Sequence, residues 1–397
     1  MYIKRSIEEK VLLLLGHFPA VAILGPRQTG KTTLVKELRK KLSKESIYLD
    51  LENPADAGAL NHPVEFFRSV SHKTVIIDEI QRRPDLFPVL RVVIDNDRIN
   101  GRFILLGSAS PQLLFFSNET LAGRIIHLEL TPFEYQEIRH ISDFRDHWLK
   151  GGFPEPYILT DNYIRKEWFK SFLSAYFERD LRLLGLNTSS TNLQRLFQMI
   201  TASQGGLLNV SNLANSLGVS APTVTHAISF FERSFIVRLL QPWHANIGKR
   251  LVKSPKIYIR DSGIVNYLSG LSSYEDLLRH PMVGNLWEGY VIEDIINTLG
   301  DEYQFNFYRT ADGAECDLLI FKGNNCIAAI DAKFTPQPKP TKSMAITMKD
   351  VKPIKAFYIV PECQAPYTIS DNQLVATPWQ ITEIIRSFRE NQAEKSV

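Results

Sequence analysis

The sequence predicts an α/β protein: a parallel sheet carrying helices comes first, a helical stretch follows, and a smaller α/β unit comes last. Three observations predict this order. A glycine-bounded loop at residues 25–32 joins a short apolar run to a helix-forming run. A second apolar run at 74–79 ends in two consecutive carboxylates, and near residue 323 two apolar segments flank a turn rich in glycine and asparagine. Short apolar runs with β-branched residues mark buried parallel strands, and their alternation with helical runs marks a doubly wound sheet.

At 397 residues the chain exceeds one ordinary core, so two or three domains are expected. A composition 44% hydrophobic and 22% charged is that of a globular protein, and a formal net charge of +3 permits a nucleic-acid partner without requiring one. Cys316, Cys326 and Cys363 include no C-x-x-C pair, which argues against a disulfide scaffold or a zinc site. Lys4 and Arg5 before the apolar run Val11–Leu15 imitate a secretory signal, but Glu8 and Glu9 intervene and the run leads into the glycine loop. No stretch reaches the roughly 18 apolar residues of a membrane span, so a cytoplasmic protein with no membrane partner is expected.

The glycine loop is read first, because its spacing is the most specific. Val21-Ala22-Ile23-Leu24 has the character of a strand and Thr33–Leu38 that of a helix, and Gly25-Pro26-Arg27-Gln28-Thr29-Gly30-Lys31-Thr32 between them fits G-x-x-x-x-G-K-[ST]. Glycines let the backbone curl so that its N–H groups point at phosphates, and the following helix N-terminus adds partial positive charge. Lys31 would reach the β- and γ-phosphates of ATP, the Thr32 hydroxyl would ligate Mg²⁺, and Thr33 completes the loop. The run Thr74-Val75-Ile76-Ile77-Asp78-Glu79 would bring Asp78 to the Mg²⁺ shell and let Glu79 orient or deprotonate the attacking water. The plainer reading is that the acid pair caps the next helix. Ser108, ending the apolar run Arg102–Gly107, could touch the γ-phosphate or the water, or be ordinary turn chemistry. Arg124 could sense or complete a nucleotide site, or sit in a surface salt bridge.

These segments, with Leu121-Ala122-Gly123-Arg124 and Leu130-Thr131-Pro132-Phe133-Glu134, together resemble the AAA-type P-loop ATPases of bacteria and archaea that carry a C-terminal domain of unknown function, the 4143 family. The resemblance covers nearly the whole chain with the motifs in the family's order. It implies an AAA-like core, a winged helix-turn-helix and a restriction-endonuclease-like domain.

Past Gly151-Gly152-Phe153-Pro154, residues 163–200 are expected to be helical. Arg179 or Arg182 there could reach a nucleotide, the alternative being solvated helix charges. Ser211–Ser220 carries a helix-turn-helix signal, with Ser211 and Ser220 as caps, Gly218 in the turn, and Val224, Ile228 and Phe231 as the apolar face of the second helix. Phe235–Val237 and Lys256–Ile259 would form a wing. The exposed side of the second helix, with Thr223, Thr225, His226 and Ser229, offers no Arg or Lys for guanine. DNA or RNA contact is therefore expected only with phosphates, through Lys249, Arg250, Lys253 and Lys256, or the module serves a structural or protein-binding role.

Glu315–Phe321 and Cys326–Lys333 read as a hairpin in which a three-residue loop, Gly323–Asn325, sets Asp317 directly opposite Asp331. Facing carboxylates repel unless a cation lies between them, for which Mg²⁺ is the candidate, and Lys333 shares their face. The pattern Asp-x(13)-Asp-x-Lys resembles the core of restriction-endonuclease-like nucleases, with Cys316 where proline is usual; the resemblance implies that Asp317 and Asp331 hold the metal, with Glu288 as an extra acid and Lys333 activating water. A solvated hairpin and a fold that binds without cutting are the alternatives. The expected division is 1–150 for the ATPase domain, 151–200 for a helical connector, 201–270 for the winged helix-turn-helix, 280–365 for the nuclease-like domain and 366–397 for a tail. The functions in competition are ATP-driven processing of nucleic acid, a nucleotide-gated binding switch and protein remodelling. The cofactors are ATP and Mg²⁺, and a homo-oligomer is compatible with all three.

Overall fold

A computed structural model describes residues 2–108, 121–183, 185–186, 188–244 and 251–393. The front of the chain forms a parallel sheet from β1 (Ala20–Leu24), β2 (Ser46–Asp50), β3 (Thr74–Asp78), β4 (Phe103–Gly107) and β5 (Ile125–Glu129), in the order β2-β3-β4-β1-β5. Every residue of β1, β3 and β4 is buried, as continuous apolar runs in a parallel sheet must be. Because successive side chains point to opposite faces, each strand feeds two cores. Val21, Ile23, Ile104 and Leu106 pack with Val11, Leu34, Val35 and Leu38 of the helices Glu8–His17 and Lys31–Arg39. Ala20, Ala22, Val75 and Ile77 pack on the other face with Phe67, Phe87 and Leu90. β4 lies between β1 and β3, so their C-terminal ends meet at one edge of the sheet, where such sheets bind ligands.

Behind the sheet, the helices Asn162–Ala175 and Ser190–Thr201 confirm the helical expectation, and a π-helical turn, Tyr176–Asp180, lies between them. The helices Val210–Leu217 and Ala221–Arg233 are joined at Gly218, whose φ of +67° is the left-handed conformation that glycine adopts without strain. Ser220 caps the second helix through Thr223 N at 3.3 Å, but the first is capped by Asn209, through Asn212 N at 3.0 Å, so Ser211 lies inside the helix and not at its start. The strands β6 (Val237–Leu240) and β7 (Lys256–Ile259) then pair antiparallel. Of the residues expected to meet phosphates, Lys249 and Arg250 lie outside the described residues, Lys253 is exposed, and Lys256 is buried and turned inward.

The last unit is a six-stranded mixed sheet in the order β12-β13-β11-β10-β9-β8. It contains β8 (Gln304–Arg309), β9 (Glu315–Lys322), β10 (Asn325–Ala332), β11 (Lys355–Ile359), β12 (Tyr367–Ser370) and β13 (Gln373–Ala376). Residues 366–393 are therefore not a tail. β13 pairs parallel with β11, and the helix Pro378–Ala393 buries Ile381 and Ile385 while Trp379 packs 4.9 Å from the ring of Tyr135. Two four-residue strands are too short for alternation to declare them, which is why this segment reads as irregular.

The hairpin also departs from expectation, although its consequence survives. Lys322 pairs with Asn325, leaving the two-residue turn Gly323-Asn324, and a bulge between Cys326 and Ala328 supplies the missing residue. Leu318 pairs with Ile330, so Asp317 and Asp331 stand opposite each other after all. One hydrophobic core runs from Phe133 through Phe177, Phe231 and Trp287 to Ile385, so the connector, the helix pair and the last sheet pack as a continuous body. Among the described residues no helix is long and apolar enough to cross a membrane.

Candidate nucleotide site

The glycine loop leaves β1 and turns into the helix Lys31–Arg39, with Gly30 at φ +91° as its N-cap. Gly25 is required for a different reason: a Cβ there would come within 2.2 Å of the Leu130 carbonyl oxygen. Lys31 Nζ donates to the carbonyls of Gly25 at 3.0 Å and Pro26 at 2.7 Å, and Thr29 Oγ1 donates to Pro26 at 2.9 Å. The loop is thus held as a ring around its own lysine. Burial lowers the Lys31 ammonium to about 8, against the raising pull of Glu79 and Asp78.

Asp78, at the end of β3, accepts from Thr32 Oγ1 at 2.8 Å and from the Tyr48 hydroxyl. A hydroxyl and a carboxylate in contact beside a phosphate-binding loop are the hard oxygen donors that Mg²⁺ prefers, so Thr32 and Asp78 fit that ion. Glu79 follows at φ +56°, a left-handed conformation costly for a non-glycine residue, and such strain concentrates at functional sites. Burial raises its carboxyl above the ordinary value, partly opposed by Lys31. Gln81 Nε2 donates both to Glu79 Oε2 and, at 2.9 Å, to Ser108 Oγ, so the end of β4 is linked to Glu79 through Gln81. A cavity of about 230 Å³ is lined by Arg27, Glu79, Ser108, Tyr176, Arg179 and Asp180, among others. The residues expected around a nucleotide from Gly25 to Thr33, with Asp78, Glu79 and Ser108, are therefore gathered at one sheet edge.

Arg124 is not gathered there. It precedes β5, which runs parallel to β1, so it lies at the opposite edge of the sheet, and both its Nε and Nη2 donate to the Asp95 carboxylate. Its surface ion pair is the reading the structure supports within one chain.

Two residues of the site, Arg5 and Tyr48, gave no sequence signal. Arg5, buried, donates to Thr29 O at 3.0 Å, to Thr131 O at 2.7 Å and to Glu137 at 3.0 Å, tying the loop to the segment after β5. Its partners lie up to 132 positions away in the chain, beyond any local pattern. Tyr48 is likewise recognised only by what it touches, the Asp78 carboxylate.

In the rear sheet Asp317, Asp331, Glu288 and Lys333 do converge, but with a cation that the sequence did not announce. Lys256 of β7 donates to Glu288 at 2.8 Å and Asp317 at 3.3 Å and lies 2.6 Å from Glu315, with its side chain only 2% exposed. Lys333 pairs with Asp331 at 2.7 Å. Burial and then Asp317 raise Asp331 to about 7, and burial and then Asp317 raise Glu288 to about 7. For Asp317, burial alone would raise the carboxyl, but Lys256 holds it below its usual range. Where Mg²⁺ was expected at Glu288, Asp317 and Asp331, protein cations already pair with the acids: the buried Lys256 with Glu288 and Asp317, and Lys333 with Asp331. Among the described residues no group of three or more Asp, Glu, His or Cys side chains is arranged to hold a metal ion.

Comparison with known proteins gives three matches along the chain. An AAA domain model matches residues 17–139, and models of two domains of unknown function, 8612 and 4143, match residues 141–275 and 283–381. An uncharacterized protein of Mycobacterium tuberculosis is 34% identical over 375 residues, covering 94% of this chain and 83% of its own length. One of Methanocaldococcus jannaschii is 22% identical over 361 residues, covering 83% and 79%. Among solved structures, a Walker-type ATPase of Pyrococcus abyssi is similar with a TM-score of 0.45 at 15% identity, covering 68% of this chain and 96% of that one.

Proposed function

Because the chain belongs to the family of AAA-type ATPases with a C-terminal domain of the 4143 family, we propose that it binds and hydrolyses ATP and that nucleotide state governs contact of its rear units with nucleic acid. The observation that carries the hydrolytic half is the contact of Thr32 with Asp78 at 2.8 Å, beside a half-buried Glu79. The loop amides and Lys31 grip the β- and γ-phosphates. Thr32 and Asp78 would hold Mg²⁺, which supplies charge neutralisation on the phosphate oxygens. Glu79, its proton affinity raised by burial, orients the attacking water and accepts its proton. Gln81 and Ser108 hold that carboxylate in place.

The coupling half is supported by packing: the continuous core behind the sheet makes the connector, helix pair and last sheet respond together. Backbone contact with DNA or RNA falls to exposed groups such as Lys253, Thr225 and His226. The second helix has no cation among its expected base-facing positions, which favours a protein partner as the second reading. The place of Lys256 in the acid cluster supports reading the rear domain as a binding element rather than a metal-dependent nuclease. The test is ATP turnover with and without DNA, RNA and candidate proteins, comparing wild type with Lys31→Ala and Glu79→Gln. Lys31→Ala should lose nucleotide binding. Glu79→Gln should keep binding and slow hydrolysis by roughly 10²-fold or more. Equal turnover in all three would refute these roles.

A further inference from the structure

The connector brings to the nucleotide cavity a charged pair that the hydrolytic mechanism leaves unused. The helix Asn162–Ala175 passes into the π-helical turn Tyr176–Asp180, a widened turn of the kind that re-aims side chains at functional sites. Tyr176 and Phe177 anchor the turn in the core, where both rings pack on Phe231. Arg179 and Asp180 are left on the cavity wall with Arg27, Glu79 and Ser108. Asp180 accepts from Arg27 of the glycine loop at 2.6 Å and from Arg179 at 3.2 Å, with its side chain 15% exposed. The other charged pair on that wall, Arg82 and Glu52, is satisfied within itself.

One carboxylate from the connector therefore bridges two guanidinium groups beside the residues assigned to hydrolysis. A carboxylate and a terminal phosphate are alternative partners for the same guanidinium, since both offer paired oxygens to its fork of N–H donors. Glu79 and Ser108 mark the hydrolytic end of the site, so groups sharing their wall meet a third phosphate and not the first. We infer that Asp180 senses the triphosphate: its carboxylate competes with the γ-phosphate for Arg27 and Arg179 and so holds ATP affinity down relative to ADP. ATP then breaks the Arg27–Asp180 pair, ADP leaves it intact, and the connector reads the difference.

This inference rests on the nucleotide reading above, and the test separates the two. Binding of fluorescent ATP and ADP analogues with Mg²⁺ is measured on the full chain for wild type, Asp180→Asn, Arg27→Gln and the double variant. Asp180→Asn should tighten ATP roughly three- to fivefold with ADP unchanged, the scale of a partly exposed ion pair. That change should vanish in the Arg27→Gln background. An unchanged ratio of ATP to ADP affinity, or the same shift without Arg27, overturns the role of Asp180 while leaving the ATPase reading intact. Wild type that binds neither nucleotide overturns both. If Asp180→Asn fails to fold, Arg27→Gln decides alone: it should weaken ATP more than ADP, and equal loss overturns the inference.

Discussion

Replacing Lys256 by methionine tests the charge balance of the rear sheet. The ammonium is almost wholly buried and within 3.3 Å of Glu288, Glu315 and Asp317, so its removal leaves these acids packed together without their principal cation. Removing one partner of a buried ion pair costs about 3–5 kcal/mol, which for a unit of this size is a fall in Tm of roughly 6–20 °C. The loss should depend on pH in a definite direction. Glu288 and Asp331 have folded values of about 7, raised above the ordinary carboxylate value, so their contribution to stability is present at low pH and is lost as pH rises through about 7. Asp317, held low chiefly by Lys256 against its own burial, loses that support in the variant and joins them. Calorimetry should therefore find Lys256→Met far less stable than wild type at pH 8, with the gap narrowing toward pH 5 as the acids take up protons. Equal stability at pH 8, or a gap that widens on acidification, would refute the assignment of Lys256 as the counter-ion.

Three further expectations concern the front domain. Arg5→Met removes donors to Thr29, Thr131 and Glu137, so it should lower Tm and also weaken ATP binding; stability loss with unchanged nucleotide affinity would separate Arg5 from the loop. Because burial raises Glu79, turnover should fall as pH drops through a midpoint above the usual carboxylate range, and Glu79→Gln should abolish that limb of the pH–rate profile. Arg124→Ala, away from its own chain's site, should leave equilibrium ATP affinity within about twofold of wild type, as surface changes do. A larger loss would mean that a neighbouring copy's Arg124 completes the site.

The glycine loop and the acid-ended strand were legible because their chemistry is local. Phosphates need consecutive amides and one lysine at fixed spacing, so Gly25–Thr32 declares itself in eight residues, and five buried residues declare β3. The facing of Asp317 and Asp331 was legible too, although through a turn and a bulge that together mimic a three-residue loop. The strands β12 and β13 were not, since four residues carry too little periodicity.

By itself, then, the sequence determined the phosphate-binding loop, the order of its elements and the pairing of acids across the rear hairpin, all consequences of contacts between near neighbours or of strand alternation. Tertiary structure alone decided that Arg5 braces the loop, that Asp180 meets Arg27, that Arg124 lies at the far edge of the sheet, and that Lys256 fills the acid cluster where a metal ion was expected. Each of these is a charge whose partner comes from a distant segment. The energy of a buried charge depends on what the fold brings within about 4 Å of it, and sequence spacing does not carry that information.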